Sequence, residues 1–419
     1  MTVEEVEQAI REVLAAQLDL EPQIIATRFS SGPLLGAASG LDSVDALNLI
    51  TALENRFNFE VKDEDLEVNL FASIRTLAQY VVTKTSPESQ PETQAAANVA
   101  PAIATIPSPP AATARGAQDF YLAFVVSLLE VSRRLPLPLR RSLIRSTAAA
   151  AYRLSSMRGT IVRSIDRALG PDLSAAPKKA LARGVFYHFW WKTFWAAPST
   201  EELELIAKSP IAGEEHLRAA IGRNLGVILL EADLLGDRNL ARRALHARGY
   251  AVHPVYGINH DASGFQLDPE CSSWGVRRLR EYFQTAERQY LAEEIHLPSG
   301  GSIAFTRDLI EGLKRNYILG LAGGGRISQH LVTLPFFGAR REFSTGIFNL
   351  ARTSGATILP IFGLHRGYAH LEIVVEPPID VRADVIRDGN VDAGLRAYVE
   401  LLEGYCRRNP EQFNSWSDL

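Results

Sequence analysis

The chain has 419 residues, too many for one ordinary core, and with 46% hydrophobic and 22% charged residues it holds apolar material for two or three globular domains. A net charge of −4 argues against a nucleic-acid partner for the chain as a whole. The two cysteines, Cys271 and Cys406, are too far apart for a disulfide framework or a metal-ligand spacing. The charge is uneven: residues 1–84 carry 14 acidic and 6 basic side chains, a net −8, so an acidic module precedes a mildly basic one.

In chain order, MTVEEVEQAI lacks the basic and apolar regions of an export signal, and with so few cysteines this points to the cytoplasm. Val3, Val6, Ile10, Val13 and Leu14 share one face of a helix over 3–18. A loop with Gly32, Pro33, Gly36 and Gly40 follows. A second helix begins after Ser43, where Val44, Leu47, Ile50 and Leu53 recur at three-residue intervals, and a hydroxyl at that mouth suits an N-cap. An acidic turn at 62–67 and a helix around 74–82 complete an all-helical bundle of a size that folds alone. From 85 to 118 Ala, Pro, Ser and Thr dominate, which predicts an extended, mobile linker able to carry the small domain to a partner surface at high effective concentration.

From 119 the texture changes to helical patterns up to about 222. Short β-branched runs then alternate with helices: 226–232, 250–257, 317–322, 357–364 and 370–376. This alternation predicts an α/β domain on a largely parallel sheet. The longest apolar run, 120–131, is about half of a bilayer span, so no transmembrane helix is expected.

Leu41-Asp42-Ser43-Val44 at the start of the second helix of an acidic bundle resembles the acyl/peptidyl carrier protein family, over residues 1–84. The resemblance implies a four-helix carrier bundle and a 4'-phosphopantetheine arm on Ser43. It also implies a phosphopantetheinyl transferase to attach the arm, an acyl- or aminoacyl-loading enzyme to charge it, and other carrier proteins as partners. A phosphodiester there meets the positive end of a helix dipole and free backbone N–H groups. Asp45, Glu54, Asp63, Glu64 and Asp65 are expected to form an acidic face for basic partners or a plain solvated surface.

In the second half, GVILLEADLLGDRNLARRALHARGYAVHPVYG is the informative stretch. With RALGPDLSAAPKKALARGVFYHFWW, TLPFFGARREFSTGIFNLARTSGATILPIFGL and NPEQFNSW, it resembles the bacterial lipid A late acyltransferase family, over 119–419. That family carries a histidine after the GVILL-type strand and a carboxylate five positions later, which together activate an acceptor hydroxyl against a thioester. In this chain the histidine slot holds Asp233 and the carboxylate slot Arg238, with Asp237 one position short. The family's Asp-Gln pair is replaced by Gly323, Gly324 and Gly325, while Pro335-Phe336-Phe337-Gly338 and Ser344-Thr345-Gly346 are retained. The resemblance thus implies a retained fold with altered chemistry.

The candidates for that chemistry are Asp233, if its surroundings raise its pKa, and His260 with Asp261 in the loop after the second strand. The three glycines fit an anion cradle or a tight turn. Arg340 and Arg341 fit a phosphate or carboxylate contact or a solvated loop. The aromatic run FYHFWWKTFW (186–195) fits helix core or an acyl-chain tunnel. Residues 120–141, with Arg133, Arg134, Arg140 and Arg141, fit a helix lying on the inner membrane or docking the carrier.

Three functions follow. The first is a carrier-fused acyltransferase acting on an amine or hydroxyl acceptor, in specialised-metabolite biosynthesis. The second is a degenerate domain that shields a carrier-bound intermediate. The third is a membrane lipid acyltransferase.

Overall fold

The structure is a computed structural model; it describes the chain except residues 19, 31, 36–40, 42, 63–64, 67, 86–111, 171–173, 257–272, 297–302, 325–330, 382–392 and 417–419. The chain divides into two compact units, Met1–Val125 with Glu270–Leu279, and Val126–Pro269 with Arg280–Leu419.

In the first unit the expected helices form as α1 (Val3–Leu18), α3 (Ser43–Phe57) and α4 (Ile74–Thr85). A short α2 (Pro22–Arg28) also forms, too brief for a periodic signal, with Pro22 at its first position where no N–H is needed. Val6, Ile10, Leu14, Ile50, Leu53, Leu77 and Val81 are fully buried and make the bundle core. Asp45 is buried as well, so it is not part of an exposed acidic face. Glu54 accepts from the Val61 N–H at 2.8 Å, and Asp65 accepts from Tyr80 at 2.7 Å and pairs with Lys84 at 2.9 Å. Asp63 and Glu64 lie outside the described residues.

A helix α5 (Ala112–Ser132) takes in residues 112–118, which composition had assigned to the linker. Then come α6 (Leu137–Leu154), α7 (Arg158–Leu169), α8 (Ala175–Trp195) and α9 (Thr200–Lys208). Strands β1 (Ile211–Ala212), β2 (Val227–Glu231), β3 (Val252–Tyr256), β4 (Ile295–His296) and β5 (Ile318–Ala322) interleave with α10 (Glu214–Gly222), α11 (Arg238–Ala247), α12 (Trp274–Arg288) and α13 (Ile303–Lys314). A hairpin of β6 (Leu331–Phe336) and β7 (Ala339–Ser344) precedes α14 (Gly346–Ser354), β8 (Thr357–His365), β9 (Leu371–Val375) and α15 (Ala393–Arg408).

The sheet order is β1-β9-β8-β2-β5-β3-β4, parallel except for the β8–β9 pair. All five predicted strands form. The two-residue β1 and β4 and the β6–β7 hairpin carry no comparable sequence run. In the hairpin turn Phe337 (φ 54°) and Gly338 (φ 74°) both adopt positive φ, as a two-residue turn matching strand twist requires. Phe337 is held there by Phe413, Trp416 and the Arg407 guanidinium over its ring. Every residue of β2 is buried, as expected of a strand covered on both faces. No helix among the described residues is long and apolar enough to cross a membrane.

Candidate functional site

In parallel α/β sheets, sites lie beyond the carboxyl ends of the strands. Here β2 ends at Glu231, paired in register with Ala322 of β5, and the two chains turn side by side. Glu231 is 2% exposed and makes a two-pronged ion pair with the buried Arg242 (2.6 and 2.5 Å), which also donates to the Tyr256 hydroxyl at 2.9 Å. This network pins the ends of β2 and β3 to α11.

Two residues further on, Asp233 is half-buried. Its Oδ1 accepts the Gly324 N–H at 2.7 Å, and the Gly323 N–H donates to the Glu231 carbonyl at 2.8 Å. The N–H groups of Gly323 and Gly324, two of the three proposed for an anion cradle, are therefore engaged within the protein. The turn also has no room for side chains. A Cβ on Gly323 would stand 2.0 Å from the Tyr398 hydroxyl, and one on Gly324 2.4 Å from Leu234 Cγ and 2.8 Å from Asp233 Oδ1. Gly325 lies outside the described residues. Burial raises the Asp233 pKa above the usual carboxylate range, opposed by the Gly324 N–H and by the Arg238 and Arg341 guanidiniums.

Arg340 and Arg341 sit on β7, where successive side chains point to opposite faces, so Arg340 is exposed and Arg341 buried. Arg341 acts electrostatically on Asp233. His260 and Asp261 lie outside the described residues. His253 stacks on Tyr317 at 4.0 Å, in keeping with a packed strand residue. Ser43, the first residue of α3, is half-buried in the other unit.

Sequence reasoning missed the residues that wall the β2–α11 turn. Asn414, in the NPEQFNSW segment, donates through Nδ2 to the carbonyls of Asp233 (3.0 Å) and Gly236 (3.1 Å). Its Oδ1 faces α8, at 3.3 Å from His188 Nε2 and 3.5 Å from Lys192 Nζ. His188 Nδ1 lies 2.9 Å from His365 Nε2, and His365 Nδ1 lies 2.8 Å from the Gly367 carbonyl. Two neutral rings supply two protons. The two shorter contacts take them, leaving the His188 Nε2 lone pair at the longest contact. Burial pushes both rings well below the ordinary histidine range, His365 to about 4, so the pair is neutral at pH 7.

The aromatic run on α8 is core at its carboxyl end, while Phe186, Tyr187 and Trp190 are half-buried and Phe189 is exposed. Trp191, Phe194 and Trp195 are buried, and Trp191 stacks on His365 at 4.0 Å. Arg140, expected on a membrane-facing or carrier-docking surface, is fully buried. It donates to the carbonyls of Phe194 (2.6 Å) and Ala197 (3.1 Å) and pairs with Glu202 at 3.3 Å. Around it in sequence, Phe120, Tyr121, Phe124 and Val131 are exposed.

Comparison with known proteins assigns the two halves separately. The family described as bacterial lipid A biosynthesis acyltransferase matches residues 239–416, beginning just after Asp233 and Arg238. The phosphopantetheine attachment site family matches residues 8–81. An acyl carrier protein of Wolinella succinogenes is 34% identical over 74 residues, which is 18% of this chain and 90% of that protein.

Proposed function

The chain belongs to the acyl carrier proteins in its first domain and to the bacterial lipid A biosynthesis acyltransferases in its second, and from that premise we propose a specific transfer. An acyl or aminoacyl group held as a thioester on the Ser43 arm passes to an amine or hydroxyl acceptor at the carboxyl edge of β2. The observation that carries the reading is the joining of a thioester carrier and a thioester-using fold in one chain. The pathway class it fits is specialised-metabolite biosynthesis.

Ser43 suits the arm because it presents a hydroxyl at the first position of a 15-residue helix, where N–H groups and the helix dipole favour a phosphodiester. When bound, 4'-phosphopantetheine supplies the thiol that activates the acyl group. The remaining work falls to the chain's own residues. Asp233, held by the Gly324 N–H and raised in pKa by burial, orients the acceptor through a hydrogen bond and takes its proton. An amine that is neutral at the working pH needs less help from a base than an alcohol does. A carboxylate in place of the family histidine therefore favours amide formation.

The attachment is tested by coexpression with a phosphopantetheinyl transferase and intact-protein mass measurement. One arm is expected on the wild type and none on Ser43→Ala. An arm on another serine would overturn the assignment. Charging of the arm requires a separate acyl- or aminoacyl-loading enzyme.

A further inference from the structure

Within FYHFWWKTFW, Lys192 is the one residue with a formal charge at neutral pH, and α8 aims it at the β2–α11 turn. Its Nζ meets Asn414 Oδ1 at 3.5 Å, and Asn414 holds the carbonyls of Asp233 and Gly236, so one amide fixes both sides of the site. The charged and titratable groups facing Lys192 are Asp237 and Arg238 at the start of α11, Asp233 in the turn and His188 one helical turn back on α8. Asp237 caps α11 through Oδ1, accepting the Asn239 N–H at 3.0 Å, while its buried Oδ2 has no hydrogen-bond partner among the described residues. Lys192 itself makes no ion pair closer than 4 Å among the described residues. It is an ammonium that feels two carboxylates electrostatically and is paired tightly with neither.

We propose that Lys192 is the general acid of the site, giving its proton to the thiolate that departs when the acyl thioester is cleaved. The inference rests on the acyltransferase reading above. The acceptor's nitrogen or oxygen forms a bond to the acyl carbon and loses its proton to Asp233. The C–S bond breaks, its electron pair stays on sulfur, and that sulfur takes a proton from Lys192. The Asp233 carboxylic acid then returns a proton to the neutral amine, which restores both groups.

Burial lowers the Lys192 pKa, with Asp237 and Asp233 opposing the shift, and this moves it from the ordinary lysine range toward that of a thiol. Burial raises Asp233. The environment thus moves both groups from their ordinary values toward the working pH, the direction that suits a general base and a general acid.

The test uses the full-length chain with Ser43→Ala, so that no arm takes part, and free acyl thioesters of an alkyl thiol and of an aryl thiol with an amine acceptor. An aryl thiolate is stable enough to leave unprotonated. Lys192→Met is expected to slow the alkyl thioester on the order of 10²-fold and the aryl thioester far less. Lys192→Arg keeps the charge but cannot release a proton at these pH values, so it should behave like Lys192→Met. As a readout apart from turnover, the side-chain NMR titration of Lys192 should move to lower pH in Asp237→Asn. Equal slowing of both thioesters in variants that melt like the wild type would overturn the proposal alone. Lys192 titrating like an exposed lysine would do the same. A Lys192-intact chain inert toward every thioester would overturn the acyltransferase reading and the proposal with it.

Discussion

In the proposed mechanism Asp233 carries the chemistry at the residue scale, because its carboxylate falls where the resemblance places a histidine and its backbone is fixed independently of its charge. The Gly324 N–H holds Oδ1 and Asn414 holds the carbonyl, so Asp233→Asn preserves volume and most hydrogen bonds while removing the base. Transfer is expected to fall on the order of 10²-fold with an unchanged melting curve. Wild-type single-turnover rates in that variant would remove Asp233 from the mechanism and direct attention to His260. Gly324→Ala is a complementary probe. Its Cβ would press on Leu234 and on Asp233 Oδ1, so it should depress transfer and stability together, measurable as a lower urea midpoint.

That Asp233 lies just past a buried strand was legible in the sequence, because the apolar GVILL run ends shortly before it. Lys192, His188 and Asn414 were not, although a lone lysine and a histidine in an aromatic helix, and an asparagine in NPEQFNSW, stand out once the fold joins residues more than 200 positions apart.

At the scale of elements, α8 is the wall on which the site is built, and buried arginines fasten its carboxyl end. Arg140 takes the Phe194 and Ala197 carbonyls. Arg243 takes those of Trp195 and Ala196 and pairs with the buried Glu287, which satisfies helix-end acceptors that have no partner in the helix itself. Arg243→Met would leave Glu287 buried without its partner, so a loss of about 3–5 kcal/mol in unfolding free energy is expected, largely recovered in Arg243→Met/Glu287→Leu. Equal urea midpoints for wild type and single variant would contradict this role.

The His188–His365 contact between α8 and β8 adds a pH dependence. The folded pKa of His365 is about 4 against an ordinary value of 6.5, and that of His188 is lowered in the same direction, so below about pH 6.5 the unfolded chain binds more protons than the folded one. Stability should therefore be at its full value above pH 6.5. It should fall as pH drops toward 4, by up to about 1.4 kcal/mol per pH unit for each ring. His365→Gln should flatten that slope in urea titrations, and an unchanged slope would place the effect elsewhere. The strands of the sheet could be read from their β-branched runs. The β6–β7 hairpin could not, since its turn places Phe337, rather than glycine or asparagine, at positive φ, and only the aromatic cluster around it explains why.

At the scale of the whole molecule, a net −8 over residues 1–84 and a mildly basic remainder are joined by the Ala/Pro-rich segment. Deleting most of residues 86–111 is expected to slow transfer from Ser43 in cis without affecting free thioesters, because the carrier would lose its effective concentration at the second domain. Undiminished turnover in dilute protein would show that the segment has no such role. Both halves were legible from short motifs, since carrier and transferase each keep the residues that shape their folds. The acceptor was not, because in the register read from the sequence the dyad slots that would announce it hold Asp233 and Arg238.

The most direct measurement follows the mass of the intact chain charged on the Ser43 arm, with and without candidate amines and alcohols. The acyl group should leave the carrier only when an acceptor is present, the product should appear in equal amount, and Asp233→Asn should hold the acyl group. Retention of the acyl group with every acceptor, or identical loss from the isolated carrier domain, would contradict transfer and leave a second domain that only shields what the carrier holds.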